Sequence, residues 1–332
     1  MHRHANQHKH FVDKVRQNLT SLNFFTGVSS KGAVGVGVSG GADSVSLFMT
    51  LLEILQKEQE SCRNFSLVVV TVNHHIRKAE ETDGDVKFVK ELVERYKKIY
   101  TQIDIRLEVF DLEEGLVQNE ASKRKCGIEE AARYLRYECF SKAIEKYNID
   151  FFCLAHNRND NLETILMRFL QGNFSGSGSG GIPFSRNEIE EFLNSQNQTW
   201  RNDSTNNDEN YLRNNIRKNL VPLLDEKFPF WENALLTGSE KAKIDSDYIS
   251  SVTEKYISFS KRENKVTISL EAFEHDATAF RVIIKAMNLL GVNERIPHEF
   301  LKDAVFEIRN ASFQKKSFSN RFSSWEVCYE KN

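Results

Sequence analysis

The chain has 332 residues, 40% of them hydrophobic and 28% charged, with a formal net charge of −2. That balance suits an ordinary folded protein with room for two domains. It leaves nucleic acid open as a partner, because such a binder needs a basic face rather than a basic total. The five cysteines (Cys62, Cys126, Cys139, Cys153 and Cys328) are odd in number and contain no C-x-x-C pair, which argues against a disulfide framework and a sequence-local zinc site.

The opening MHRHANQHKH is basic but has no apolar core behind it, so it is not a secretory signal. Its histidines can bind metal, although the composition fits a flexible added head better. No run approaches the roughly 18 apolar residues of a membrane span, and a cytoplasmic protein is expected. Residues 33–38 form a short, small-residue apolar run suited to a buried strand, followed by Phe48, Leu51, Leu52 and Leu55 at helical spacing. Residues 67–72 are a β-branched strand. Val86, Val89, Leu92, Val93 and Tyr96 then mark a helix, and 103–110 another strand. Ala132, Leu135, Cys139, Ala143, Ile144 and Tyr147 share a helical face, 150–155 reads as a strand, and Leu162, Ile165, Leu166 and Phe169 as a helix. Four strand–helix units in succession predict an α/β fold with a doubly wound, mostly parallel sheet. Ligands bind such sheets beyond the carboxyl ends of the strands.

Residues 175–181 are a Gly/Ser linker by composition. From about Leu220 the chain turns helical and polar, with a strand at 266–270 and with Pro222 and Pro229 suited to a junction. The expected division is a catalytic domain over 1–222 and a smaller, mainly helical domain over 223–332. There is no internal repeat.

Straight after the first strand comes Ser39-Gly40-Gly41-Ala42-Asp43-Ser44, running into a helix. Two glycines let the backbone turn sharply and approach a ligand. The amide groups of the turn and the positive end of the helix dipole suit phosphate oxygens, and Ser39 and Ser44 can add hydroxyl donors. Asp43 repels phosphate directly but is the right group to hold Mg²⁺ between phosphates. The competing structural account is a plain strand-to-helix turn capped by Ser39 or Asp43. The Gly-Lys-Ser/Thr ending of a Walker loop and the G-x-G-x-x-G of dinucleotide enzymes are both missing. The string resembles the signature of the PP-loop ATP pyrophosphatases, which implies an adenine-nucleotide α-hydrolase-like fold and a loop that holds the departing pyrophosphate of ATP.

Further strings resemble the tRNA(Ile)-lysidine synthases of that superfamily. Asn73-His74-His75-Ile76-Arg77 is similar to V-N-H-x-L-R, putting His74 and Arg77 at a strand end where they can meet nucleotide. Leu154-Ala155-His156 through Thr164 resembles L-A-H-H-x-D-D-Q-x-E-T, except that Asn157, Asn159 and Asn161 replace the second His, the first Asp and the Gln. Asp160 and Glu163 share a helical face and can hold a metal or water, or else form a capping box with Asp160 as N-cap. Asn159 cannot be an ionised ligand, so a metal role rests on Asp160. Asp203 to Tyr211, then Arg213, Asn214, Ile216, Arg217 and Pro222, resemble D-P-S-N-x-D-x-x-Y-x-R-N-x-I-R…P, with Ser204 and Thr205 where Pro-Ser is usual. Leu212, Ile216 and Leu220 give that helix an inward stripe. Arg213 and Arg217 lie one turn apart, a like-charge pair costing about 0.2–0.5 kcal/mol. A phosphate or carboxylate between them would offset this cost, and two solvated arginines are the plainer alternative. Glu129 to Tyr137 resembles E-x-A-A-R-x-x-R-Y, with Arg133 and Arg136 either facing RNA or simply solvated.

The resemblance implies an ATP- and Mg²⁺-dependent ligase that adenylates the first anticodon cytidine of an isoleucine tRNA and replaces AMP with free L-lysine. It implies catalytic roles for Asp43, His156, Asp160 and Glu163, with Asp43 and Asp160 as metal ligands. It further implies ATP contacts from residues 39–44, His74 and Arg77, and tRNA or phosphate contacts from Arg133, Arg136, Arg213, Asn214 and Arg217. A homodimer is compatible with it. Family members carry a longer loop and a strand where this chain has 175–181, so a shortened or replaced segment is expected there, and the C-terminal tRNA-binding part is expected to be abbreviated. The alternatives are a PP-loop tRNA thiolation enzyme, which needs a cysteine pair at the site, and a non-catalytic nucleotide or tRNA-binding module.

Overall fold

The computed structural model describes residues 2–29, 31–59, 64–77, 79–172, 183–201, 212–292, 296–310, 315–319 and 324–328. The Gly/Ser stretch at 175–181 and the string from Asp203 to Tyr211 lie outside the described residues. The chain divides into two compact units, residues 1–172 with 178–235 and residues 173–177 with 236–332.

The first unit is built on four parallel strands, β1 (Ala33–Gly37), β2 (Ser66–Asn73), β3 (Asp104–Asp111) and β4 (Ile149–Cys153), in the order β3-β2-β1-β4. Val36 stands beside Val69 on one side and Cys153 on the other. The inner strands β1 and β2 are apolar runs because both their faces are covered, whereas the edge strand β3 exposes Asp104 and Arg106. One face packs against α1 (His2–Ser21), α2 (Phe24–Gly27), α3 (Ala42–Gln59) and α4 (Ala79–Ile99). The other packs against α6 (Ile128–Tyr147), which also pairs with α5 (Leu116–Arg124). Each expected strand is present to within a residue or two, and the fold is the α/β arrangement the alternating periods predict. A Cβ at Gly35 would lie 2.3 Å from Cδ2 of Phe152, so the small residues of β1 admit large neighbours. The order runs outward from β1 to β3 and then reverses to β4. This reversal makes the carboxyl end of β1 the switch point where open α/β sheets bind ligands.

The chain continues through α7 (Arg158–Leu170) and α8 (Arg186–Ser195) to α9 (Leu212–Asn215), a π-helical turn (Ile216–Leu220) and α10 (Val221–Lys227). A regular helix over Leu212, Ile216 and Leu220 is therefore not what forms, although Ile216 is buried as expected. Pro222 lacks an amide hydrogen and removes one i→i−4 bond from this stretch.

The expected flexible head is also corrected. Phe11, Val12, Val15 and Leu19 form the buried stripe of α1. The Phe11 ring stacks between Phe184 and Phe192 at centroid distances of 4.0 and 4.1 Å, and His8 Nε2 meets Glu53 Oε1 at 2.7 Å. The histidines obscure an ordinary amphipathic pattern.

The helix α11 (Trp231–Glu254) carries the chain into the second unit. There the antiparallel pair β5 (Ile257–Ser260) and β6 (Lys265–Ile268) precedes a 3₁₀ turn (Leu270–Phe273), α12 (Asp276–Leu289) and α13 (His298–Arg309). Phe273, Val282, Ile283, Leu301 and Val305 form its core. A second antiparallel pair, β7 (Lys315–Ser319) and β8 (Ser324–Cys328), follows. Among the described residues no helix is long and apolar enough to cross a membrane.

The aromatic stack makes α1 part of the first unit's core rather than an appendage. Phe11→Ala is expected to lower that unit's stability by about 3–5 kcal/mol. Denaturant titration followed by circular dichroism measures this, and a loss under about 1 kcal/mol would mean the stack does not hold α1.

Candidate active site

Val38 continues the pairing of β1, its N–H donating to the Val70 carbonyl at 2.9 Å, and the chain then turns. Gly40 sits at φ +90°, a conformation costly for any residue with a Cβ. Its carbonyl accepts the Arg201 N–H at 2.9 Å. The Ser44 hydroxyl closes the loop on itself, donating to the Gly41 carbonyl at 2.9 Å and accepting the Ser39 N–H at 3.2 Å.

Asp43 lies in the first turn of α3, with Oδ2 accepting from Nδ2 of Asn157 at 3.0 Å. Its Oδ1 is buried with no hydrogen-bond partner. Burial pushes the Asp43 carboxyl above its ordinary value; the Asn157 hydrogen bond works against this and the Asp160 charge adds to it. Asn157 caps α7, its Oδ1 accepting the Asp160 N–H at 2.8 Å while Asp160 Oδ2 takes the Asn157 N–H at 3.4 Å. The capping box is thus Asn157 with Asp160, not Asp160 with Glu163. Asn caps as well as Asp, so the helix starts three residues earlier and leaves Glu163 for another purpose.

That purpose is the arginine pair. Buried Glu163 accepts from Arg213 Nε at 2.7 Å and from Arg217 Nε at 2.6 Å and Nη2 at 2.9 Å. Asp160 Oδ1 accepts from Arg213 Nη2 at 2.9 Å and lies 3.4 Å from Arg217 Nη2. The anion expected between the two arginines is supplied by the chain itself. Hydrogen bonding to Glu163 raises the Arg217 pKa further.

At the end of β2, Arg77 pairs with Asp85 at 2.6 Å, and the other oxygen of Asp85 takes Arg201 Nε at 2.8 Å. His75 adopts φ 50° and meets Asp111 at 2.7 Å. Burial, helped by the nearby charge of Arg136, lowers the His74 pKa to about 4. Burial likewise lowers His156, with the Asp160 charge opposing. Arg136 opens to solvent along the cleft, yet surrounding protein and the Arg133 charge still lower its pKa.

These elements enclose a cleft of about 550 Å³ at the carboxyl ends of the strands. Ser39, Ser44, His74, Arg77, Arg133, Arg136, His156, Asp160, Arg213, Asn214 and Arg217 all line it. Gly40, Gly41, Ala42, Asp43 and Glu163 are not on its lining. Arg201 and Asp85 belong to none of the motifs. The available signal for them is Gly84, a glycine inside a helix without a local reason; a Cβ there would lie 3.1 Å from Arg201 Nη2.

Among the described residues no cluster of three or more His, Cys, Asp or Glu forms a ready metal cage. Mg²⁺ does not need one, since it usually takes one or two carboxylates together with substrate phosphates. The unpartnered Oδ1 of Asp43, with the Asp160 carboxylate near enough to raise its pKa, fits that requirement.

The sheet order, the glycine turn after β1 and the cleft above it define a PP-loop protein, and a PP-loop domain match spans residues 7–224. The tRNA(Ile)-lysidine synthase of Treponema denticola is 35% identical, the alignment covering 81% of this chain and 59% of the relative. That of Borreliella afzelii is 30% identical over 90% of this chain and 67% of the relative, and that of Clostridium tetani 30% over 83% and 59%. The chain thus spans about three fifths to two thirds of the length of these curated relatives. It belongs to the PP-loop family, within the group of the tRNA(Ile)-lysidine synthases. The solved U34-tRNA thiolase NcsA of Methanococcus maripaludis shares the fold, with a TM-score of 0.53 at 17% identity over 70% of this chain and 77% of that one.

The lowered His74 pKa has a definite sign. The unfolded chain binds a proton near 6.5 and the folded chain only near 4, so this contribution to stability is complete above 6.5 and is lost as pH falls towards 4. NMR titration of the His74 ring should show its inflection near 4. An inflection near the ordinary 6.5 would contradict the placement of this ring.

Proposed function

We propose that the chain is a lysidine-forming ligase of the cytoplasm, acting on the first anticodon cytidine of an isoleucine tRNA with ATP and free L-lysine. The observation that carries this reading is the cleft at the switch point, where the phosphate-type loop and the cleft-lining Arg77, Arg133 and Arg136 converge beside His156 and Asp160. The cytidine C2 oxygen attacks the α-phosphorus of ATP, giving an adenylated base and pyrophosphate. The side-chain amine of lysine then attacks C2 and AMP departs. A carbonyl oxygen is a poor leaving group and AMP a good one.

The turn after β1 and the positive start of α3, whose Ser39 and Ser44 line the cleft, receive the outer phosphates. Mg²⁺ held by Asp43, with Asp160, would neutralise charge building on the pyrophosphate. Arg77, Arg133 and Arg136 supply fixed positive charge to the reacting phosphate and the RNA backbone. The amine of free lysine ordinarily titrates near 10.4, so only about one in 10³ is neutral at pH 7. His156, a neutral imidazole on the cleft wall, is the proposed acceptor of its proton. Catalysis is assigned to residues 1–222 and further tRNA contact to 223–332.

Sulfur transfer has less support. Among the described residues Cys126, Cys139 and Cys153 are free thiols, none lines the cleft, and burial pushes Cys153 up to about 12.

The test is mass analysis of isoleucine tRNA after incubation with ATP, Mg²⁺ and labelled lysine. Label in the anticodon cytidine, with AMP and pyrophosphate released in equal amounts, is the expected result. Label-free tRNA, or ADP in place of AMP, refutes the reading. Asp43→Asn should abolish pyrophosphate release and leave the fold intact; near-normal turnover would remove Asp43 from its role.

A further inference from the structure

Asn157 stands where the family's motif has a histidine, and it is the residue that joins the two acidic parts of the site. Its side chain is almost wholly buried, 4% exposed. Its two ends make different bonds, and the main chain decides which is which. The end that takes the Asp160 N–H must be the carbonyl oxygen, because an amide nitrogen cannot accept it. The other end is therefore the NH₂ group, and it reaches Asp43 Oδ2 at 3.0 Å. The orientation of the amide is fixed by α7 and does not depend on the protonation of any ring.

The consequence falls on Asp43. With Oδ2 held by a neutral donor, the carboxylate has one defined rotamer, and its Oδ1 is left buried without a partner. A buried carboxylate oxygen with no donor is costly, unless a cation completes it. Asn159, the neighbouring substitution, has a parallel structural use: its Oδ1 accepts the Arg186 N–H at 3.3 Å, tying α7 to the first residue of α8. Neither amide adds charge beside Asp43.

We propose that Asn157 is a positioning residue that locks the Asp43 carboxylate so that Oδ1 alone is presented to a divalent cation. This rests on the assignment of Asp43 as a metal ligand made above. Asn157 itself touches neither cation nor nucleotide; it acts through Asp43.

Two substitutions separate this role from helix capping. Asn157→Ser keeps a good N-cap for α7 but is too short to reach Asp43, whereas Asn157→Ala loses both. The probe is Mn²⁺ with ATP, followed by electron paramagnetic resonance of the bound ion and by calorimetry, without tRNA or lysine and so without turnover. The full chain should bind Mn²⁺·ATP, and Asn157→Ser should bind it about 10- to 100-fold more weakly, the usual loss when an outer-shell partner of a ligand is removed. ATP affinity without metal should stay close to that of the parent, and the melting temperature of Asn157→Ser should fall only by what the lost donor to Asp43 costs. Asn157→Ala should show the same loss of metal affinity with a lower melting temperature besides. Binding of Mn²⁺·ATP by Asn157→Ser within twofold of the parent overturns the inference while leaving Asp43 its role. A parent chain that binds no Mn²⁺·ATP at all overturns the metal assignment of Asp43 and this inference with it.

Discussion

Burying the Glu163 carboxylate is the constraint around which the site is arranged. Its side chain is 3% exposed, and an isolated ion in such a place is far too costly to keep. Two guanidinium groups from one short segment answer it, Arg213 and Arg217, and both also touch Asp160. The four charges cancel in pairs, two acids on α7 against two bases on the 212–220 segment. This arrangement holds that segment over the cleft. The like-charge penalty between arginines one turn apart disappears once both share a carboxylate. The π-helical turn that begins at Ile216 is where such local departures from regular helix often accompany function.

The same pairing sets what the rest of the cleft can attract. Arg213 and Arg217 are already neutralised, so the positive field left for an anion comes from Arg133 and Arg136 on α6 and from the amides of the loop after β1. Arg77 is partly committed to Asp85, which it shares with Arg201. Arg201 in turn holds the Gly40 carbonyl. A phosphate entering between the loop and β2 would thus meet donors already fixed in place, which lowers the reorganisation that binding requires.

Much of this is legible in the sequence, and what is not has identifiable causes. The inner strands are plain because parallel strands covered on both faces must be apolar runs, as residues 67–72 are. The loop is plain because Gly40 needs its left-handed φ. The N-terminal helix is hidden by its histidines, although Phe11, Val12, Val15 and Leu19 keep helical spacing. The cap of α7 is misplaced by sequence reasoning because Asn157 and Asp160 both suit the position, and local sequence does not rank two good caps three residues apart. Arg213 and Arg217 are marked by their spacing as wanting an anion, but which anion depends on a helix some fifty residues earlier in the chain. Arg201 and Asp85 owe their importance to contacts distant in sequence, and only the odd glycine at Gly84 hints at them.

Asp43 and Glu163 show two solutions to one problem. Glu163 is buried, Asp43 is half-buried with its Oδ1 closed to water, and neither lines the cleft. Glu163 is fully answered by arginines, so it can serve as a fixed strut. Asp43 receives a single neutral donor and keeps one oxygen unanswered, and burial raises its pKa accordingly. A carboxylate left incomplete destabilises the empty protein, and such incompleteness is characteristic of positions where function takes precedence over stability. The difference between a complete acid and an incomplete one, on either side of the start of α7, divides structure from chemistry here more sharply than any motif does.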